Sequence, residues 1–112
     1  MAQSNPHFLN GVPELLVLRL LSDREMYGYE LVQAIRDATG DSIVLAEGVV
    51  YPMLHGLERD GALQSRRQTV AGRSRVYYSV TPAGSDRFAR LAETWRELNQ
   101  AIGSLLGEPS RV

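Results

Sequence analysis

Leu63-Gln64-Ser65-Arg66-Arg67-Gln68-Thr69, then Val70-Ala71-Gly72-Arg73-Ser74, then Arg75-Val76-Tyr77-Tyr78-Ser79-Val80, is where the chain changes its period. On either side, apolar residues recur at helical spacing. Here they alternate, with Val76, Tyr78 and Val80 on one face. Two alternating runs around a joint containing Gly72 read as a two-stranded hairpin with a basic tip. Such a hairpin is not stable alone, so it must lie against helices. Alternation also turns one ring of Tyr77-Tyr78 inward, toward packing rather than base stacking.

Upstream of the hairpin the spacing predicts three helices. The first opens at Gly11-Val12-Pro13, where Pro13 suits an early helical position, and ends near Ser22-Asp23. Leu15, Leu16, Leu18, Leu20 and Leu21 make it apolar nearly all round, as in a central core helix. Met26-Tyr27-Gly28 reads as a short connection. A second helix over about 28–39 carries Tyr29, Leu31, Val32 and Ile35 on one side and stops at Gly40. A third, about Glu47 to Asp60, has Val50, Met53, Leu54 and Leu57 as its buried stripe and ends at Gly61. Pro52 is tolerable only in a first turn, so this helix is expected to begin shortly before it.

Downstream, Thr81-Pro82 is a capping residue followed by proline, a strong helix start. Phe88, Leu91, Trp95, Leu98, Ile102 and Leu105 then step by three and four residues, a heptad seam that continues to about Leu106. A core already filled by three helices has no room for that seam, so it predicts a homodimer. The expected organisation is an arm over 1–10, a DNA-binding unit over 11–80, a dimerisation helix over 81–106 and a loose tail over 107–112. The fold class is mainly α (α+β): a winged helix-turn-helix with a two-stranded wing and a long C-terminal dimerisation helix. In that layout the second and third helices form the helix-turn-helix, and the third is narrow enough for the major groove.

Charge is distributed to suit. The formal net charge is −1. Residues 1–60 hold four arginines against nine acids, and residues 61–112 hold eight arginines against four. Gly61 to Ser85 contains Arg66, Arg67, Arg73 and Arg75 and no acid, which favours phosphate binding over a merely solvated face. All twelve basic residues are arginine, a usage that also follows from gene composition. The 112 residues contain no cysteine, which excludes disulfides and thiolate metal sites. His7 and His55 have no ligand spacing, so no metal and no cofactor are expected. No apolar run approaches the ~20 residues of a membrane span. The N-terminus has no secretion pattern, so the expected location is the cytoplasm.

Several pieces together resemble the PadR family of bacterial regulators, in its short form with a single C-terminal helix. They are Gly11 with Glu14-Leu15-Leu16; Tyr27-Gly28-Tyr29-Glu30-Leu31; Gly48-Val49-Val50-Tyr51-Pro52-Met53-Leu54; Leu57-Glu58-Arg59-Asp60-Gly61; Arg73-Ser74-Arg75-Val76-Tyr77-Tyr78; and Thr81-Pro82-Ala83-Gly84. They span about residues 11–106. The resemblance implies a homodimeric repressor that reads an inverted repeat near its own or a neighbouring promoter and responds to small aromatic or drug-like compounds. It implies that Tyr51 sits near the start of the recognition helix and touches backbone or base. It also implies that Trp95 matches an aromatic position that stacks on flat ligands in multidrug-sensing relatives. Val49 stands where such proteins often have a small hydroxyl residue, and Gly56 where they often carry Arg or Lys.

The expected DNA-contacting residues are Gly48, Val49, Tyr51, His55, Arg66, Arg67, Arg73 and Arg75. The expected dimer residues are Phe88, Leu91, Trp95, Leu98, Ile102 and Leu105. Trp95 is read either as seam packing or as a ligand plate, with Leu15 and Leu18 walling the same cavity or belonging to the core. A competing reading is a winged helix kept for protein–protein contact, suggested by Val49, Gly56 and the net charge of −1. An enzyme is not expected: no nucleophile–base set, phosphate-cradling loop or metal spacing is present.

Overall fold

The computed structural model describes residues 11–107; the arm expected over 1–10 and residues 108–112 lie outside them. Seven elements follow in order: α1 (Val12–Asp23), β1 (Met26–Tyr27), α2 (Gly28–Ala38), α3 (Glu47–Arg59), β2 (Leu63–Val70), β3 (Arg73–Val80) and α4 (Pro82–Leu105). The strands form one antiparallel sheet in the order β1-β3-β2.

The core lies where α1, α2, α3 and the inner face of the sheet meet. Leu18, Leu31, Ile35, Leu54, Val17 and Val50 are its fully buried side chains, with Leu57, Leu63 and Tyr78 closing it. Leu63, Tyr78 and Val80 share this inner face because Leu63 pairs with Val80 and Ser65 with Tyr78. Ser65 also donates to the Glu58 carboxylate at 2.6 Å, fixing the hairpin to α3. Tyr29, expected on the apolar side of α2, is instead 52% exposed.

Three further sequence expectations change. Met26-Tyr27 is a strand rather than a connection: Met26 pairs with Tyr78 and Tyr27 with Tyr77. Two residues carry no readable period, and their partner lies fifty residues on. Pro52 is the sixth residue of α3, past the first turn. The carbonyl it leaves unpaired belongs to Gly48, which is exposed, so solvent can serve it. The joint of the hairpin is two residues, not five: Ala71 and Gly72 both adopt left-handed backbone, φ 52° and 79°. That is the geometry of the tight turns whose twist matches paired strands. Ala71 bears a Cβ in this region, which is why composition did not announce so short a turn.

α4 begins on a close joint with the end of α3. Thr81 Oγ1 donates to the Gly61 carbonyl at 2.6 Å and accepts from Gly84 N at 3.0 Å. A Cβ on Gly84 would stand 2.0 Å from the Ala62 carbonyl oxygen. Arg87 then bonds both oxygens of Glu14 on α1, at 2.6 and 3.2 Å, and reaches Asp60 at 3.4 Å. Ala92 is the last buried residue of the helix.

Candidate nucleic-acid interface and apolar seam

Burial of Val50, Leu54 and Leu57 fixes which way α3 turns its other side. Gly48, Val49, Pro52, His55 and Arg59 form the exposed face, at spacings of three and four residues. Only His55 and Arg59 among them carry polar side chains. Tyr51 is not part of this face. It is half-buried, and its ring lies across Gly28 at the start of α2. A Cβ at Gly28 would stand 2.2 Å from Tyr51 Cε1 and 2.8 Å from the hydroxyl oxygen. Glycine is therefore required at that position for the two helices to interlock. Burial, then the Glu47 carboxylate and Tyr27, push the Tyr51 phenol above its ordinary pKa.

The sheet separates the arginines. Register puts Arg67 on the inner face with Val76, while Arg66, Arg73 and Arg75 share the outer face with Tyr77. Arg66 is not uncompensated, as the acid-free run 61–85 suggested. It forms a salt bridge with Glu25, just before β1, including a 2.9 Å contact from Nε to Oε1. The pairing of β1 with β3 brings this acid forty-one residues along the chain to the wing. The Arg66 hydrogen bond, more than its charge, holds the Glu25 carboxyl below its ordinary pKa. The Arg66 guanidinium also lies 4.9 Å from the centre of the Tyr77 ring. Tyr77 meets Tyr27 edge-on at 5.5 Å, and Arg75 covers Tyr27 at 4.4 Å. Arg67 bonds Ser74 Oγ at 3.3 Å. Among the described residues Arg67, Arg73 and Arg75 have no salt bridge.

The expected seam divides. Phe88 and Leu91 are half-buried against the protomer's own core. Trp95, Leu98, Ile102 and Leu105 are 44%, 52%, 53% and 86% exposed. An open apolar groove runs between the start of α1 and this helix, lined by Gly11, Val12, Leu15, Leu91, Trp95 and Leu98 with Thr94. Leu15 and Trp95 thus meet in one groove. Leu18 does not line it, being fully buried in the core. A helix apolar on every side gives no signal for which leucine faces which way.

The sequence assigned no contact to Glu25, Gly28, Glu14 or Arg87. Their partners are 41, 23 and 73 residues away, beyond any local pattern. Among the described residues no group of three potential ligands could hold a metal ion, and no helix is long and apolar enough to cross a membrane.

The profile described as "Transcriptional regulator PadR-like family" matches residues 17–90. A transcriptional regulator of Mycobacterium tuberculosis is 35% identical over 105 residues, covering 94% of this chain and 92% of its own. The structure of a transcriptional regulator from Clostridium thermocellum superposes with a TM-score of 0.81 at 28% identity, over 88% of this chain and 96% of that one. A padR family transcriptional regulator from Eggerthella lenta gives a TM-score of 0.79 at 29% identity, over 89% and 86%.

Proposed function

The chain belongs to the PadR-like family of transcriptional regulators, which are not enzymes, and from that premise we propose that it is a homodimeric repressor of its own or a neighbouring promoter, released by a small aromatic effector. The carrying observation is the exposed face of α3 beside a hairpin that bears Arg67, Arg73 and Arg75 without salt bridges among the described residues. α3 enters the major groove with its N-terminal residues against base edges. Gly48, Val49 and His55 lie toward DNA, and Tyr51 holds α3 on α2 while its hydroxyl reaches for the backbone. The wing arginines meet phosphate.

The dimer forms through Trp95, Leu98, Ile102 and Leu105, four large apolar side chains left in water by the single protomer. Phe88 and Leu91 support the base of that contact. Two reading heads related by a two-fold axis then address half-sites ~34–36 Å apart, one turn of DNA. The groove of Leu15, Leu91 and Trp95 suits a flat apolar ring. A ligand there acts only if it binds the two dimer arrangements unequally. Arg87 joins α4 to both α1 and the end of α3, so a shift of α4 carries the reading head with it.

Fluorescence anisotropy with duplexes selected from a randomised pool tests the reading. Affinity for an inverted repeat is expected to fall steeply as salt rises. Unchanged affinity in Arg73→Ala with Arg75→Ala would remove the wing from it. Titration of aromatic compounds tests the groove through Trp95 fluorescence; release of DNA without any change in that fluorescence would place the effector elsewhere.

A further inference from the structure

Gly48 and Val49 are the odd pair on the exposed face of α3. A Cβ built on Gly48 meets nothing within 4 Å. Glycine there costs the helix about 1 kcal/mol against alanine, and no packing inside the protomer asks for it. Beside it Val49 is 45% exposed, a branched apolar side chain standing in water at the helix start. Neither can hydrogen-bond a base through its side chain. An absent side chain allows close approach of something outside the chain, and an exposed isopropyl group wants an apolar surface to cover it.

The major groove offers one such surface at each thymine, the C5-methyl group. The geometry points to Val49 as the residue that reads a pyrimidine C5-methyl in each half-site, with Gly48 giving it the clearance to do so. This rests on the DNA-binding reading above. Valine has no polar side-chain atom, so it senses the methyl and not the neighbouring exocyclic group. Thymine and 5-methylcytosine are then equivalent to it, and so are uracil and unmethylated cytosine. Specificity at this position is a test of methylation rather than of base identity.

The experiment uses the full-length protein and the duplex it selects from a randomised pool. Each thymine of the half-site is replaced in turn, symmetrically in both halves, by deoxyuridine, which removes only the methyl. At one position the loss is expected to be about fourfold per half-site and about fifteenfold for both, the worth of burying one methyl. Cytosine at that position should bind more weakly than 5-methylcytosine by a similar factor. Both differences should shrink in Val49→Ala, which keeps only the Cβ methyl, and persist in full in Pro52→Ala. Val49 is exposed and alanine favours helix, so an unchanged thermal melt is expected for the first variant. Deoxyuridine tolerated at every position would overturn the proposal, as would a methyl effect undiminished in Val49→Ala. Enrichment of no duplex at all would overturn the DNA-binding reading, and this inference with it.

Discussion

The two halves of α4 are written in one pattern and live in different surroundings. From Pro82 to Ala92 the helix is held at every turn: by Thr81 on Gly61, by Gly84 against Ala62, by Arg87 on Glu14 and Asp60, and by Phe88 and Leu91 on the core. From Glu93 to Leu105 almost every residue is exposed, although the spacing of three and four continues unbroken. The wing repeats the contrast on a smaller scale, with Arg66 tied to Glu25 and Arg73 exposed beside the turn. A heptad seam therefore says that a helix has an apolar face. It does not say whether the same chain or another covers it.

The contrast is broken most severely by placing acids in the free half. Leu98→Glu with Ile102→Glu should weaken self-association at least a hundredfold, since unpaired charges in a buried contact cost about 3–5 kcal/mol. The protomer should keep its stability within ~0.5 kcal/mol, because both side chains are exposed in it. Sedimentation equilibrium beside a chemical melt separates the two effects; loss of the fold along with the dimer would erase the distinction drawn between the halves.

The held half fails in the opposite way. Gly84→Val would force a side chain into the Ala62 carbonyl and Val80, with a cost of about 3 kcal/mol to the fold itself. The urea midpoint should drop sharply, even at concentrations where the protein is monomeric. A midpoint like the parent's would show that the joint is looser than its contacts suggest.

Smaller effects sharpen the picture. Glu14→Gln removes one of the two carboxylates on Arg87, and the partly buried setting puts the loss at ~1 kcal/mol. The same variant should change the salt dependence of DNA binding little, as Glu14 is on α1 and Arg87 on α4, neither on α3 nor on the hairpin.

The least effect is expected at the Glu25–Arg66 pair. The folded protein holds the Glu25 carboxyl below its ordinary value of 4.5. Its contribution is therefore complete above that value and lost as pH falls through the lowered one. Melting temperatures of the parent and Glu25→Gln should differ near neutrality and converge in acid. A difference that grows on acidification would contradict the sign.

Much of the architecture was written locally. Gly61 with left-handed backbone, the Thr81 cap and the alternation of Val76, Tyr78 and Val80 are each decided by a few neighbouring residues. The exposed face of α3 followed from its buried stripe. What stayed hidden depends on partners far along the chain. β1 exists because Tyr78 and Tyr77 accept it, and Arg66 is neutralised because β1 brings Glu25 alongside. Gly28 reads as a helix start until the Tyr51 ring is seen against it. Leu15 and Leu18 have the same chemistry, and only the packing of α1 assigns one to the groove and the other to the core.

Across the base of the hairpin, the bonds from Thr81 to Gly61 and Ala62 join the end of α3 directly to the first turn of α4. α3 has 13 residues, so its far end lies ~20 Å from that joint at 1.5 Å per residue. Pivoting α3 about this joint by about 10° would sweep the tip through ~3.5 Å, the rise of one base pair. In the homodimer proposed above, a rotation this small at the dimer axis would put a reading head one rung out of step.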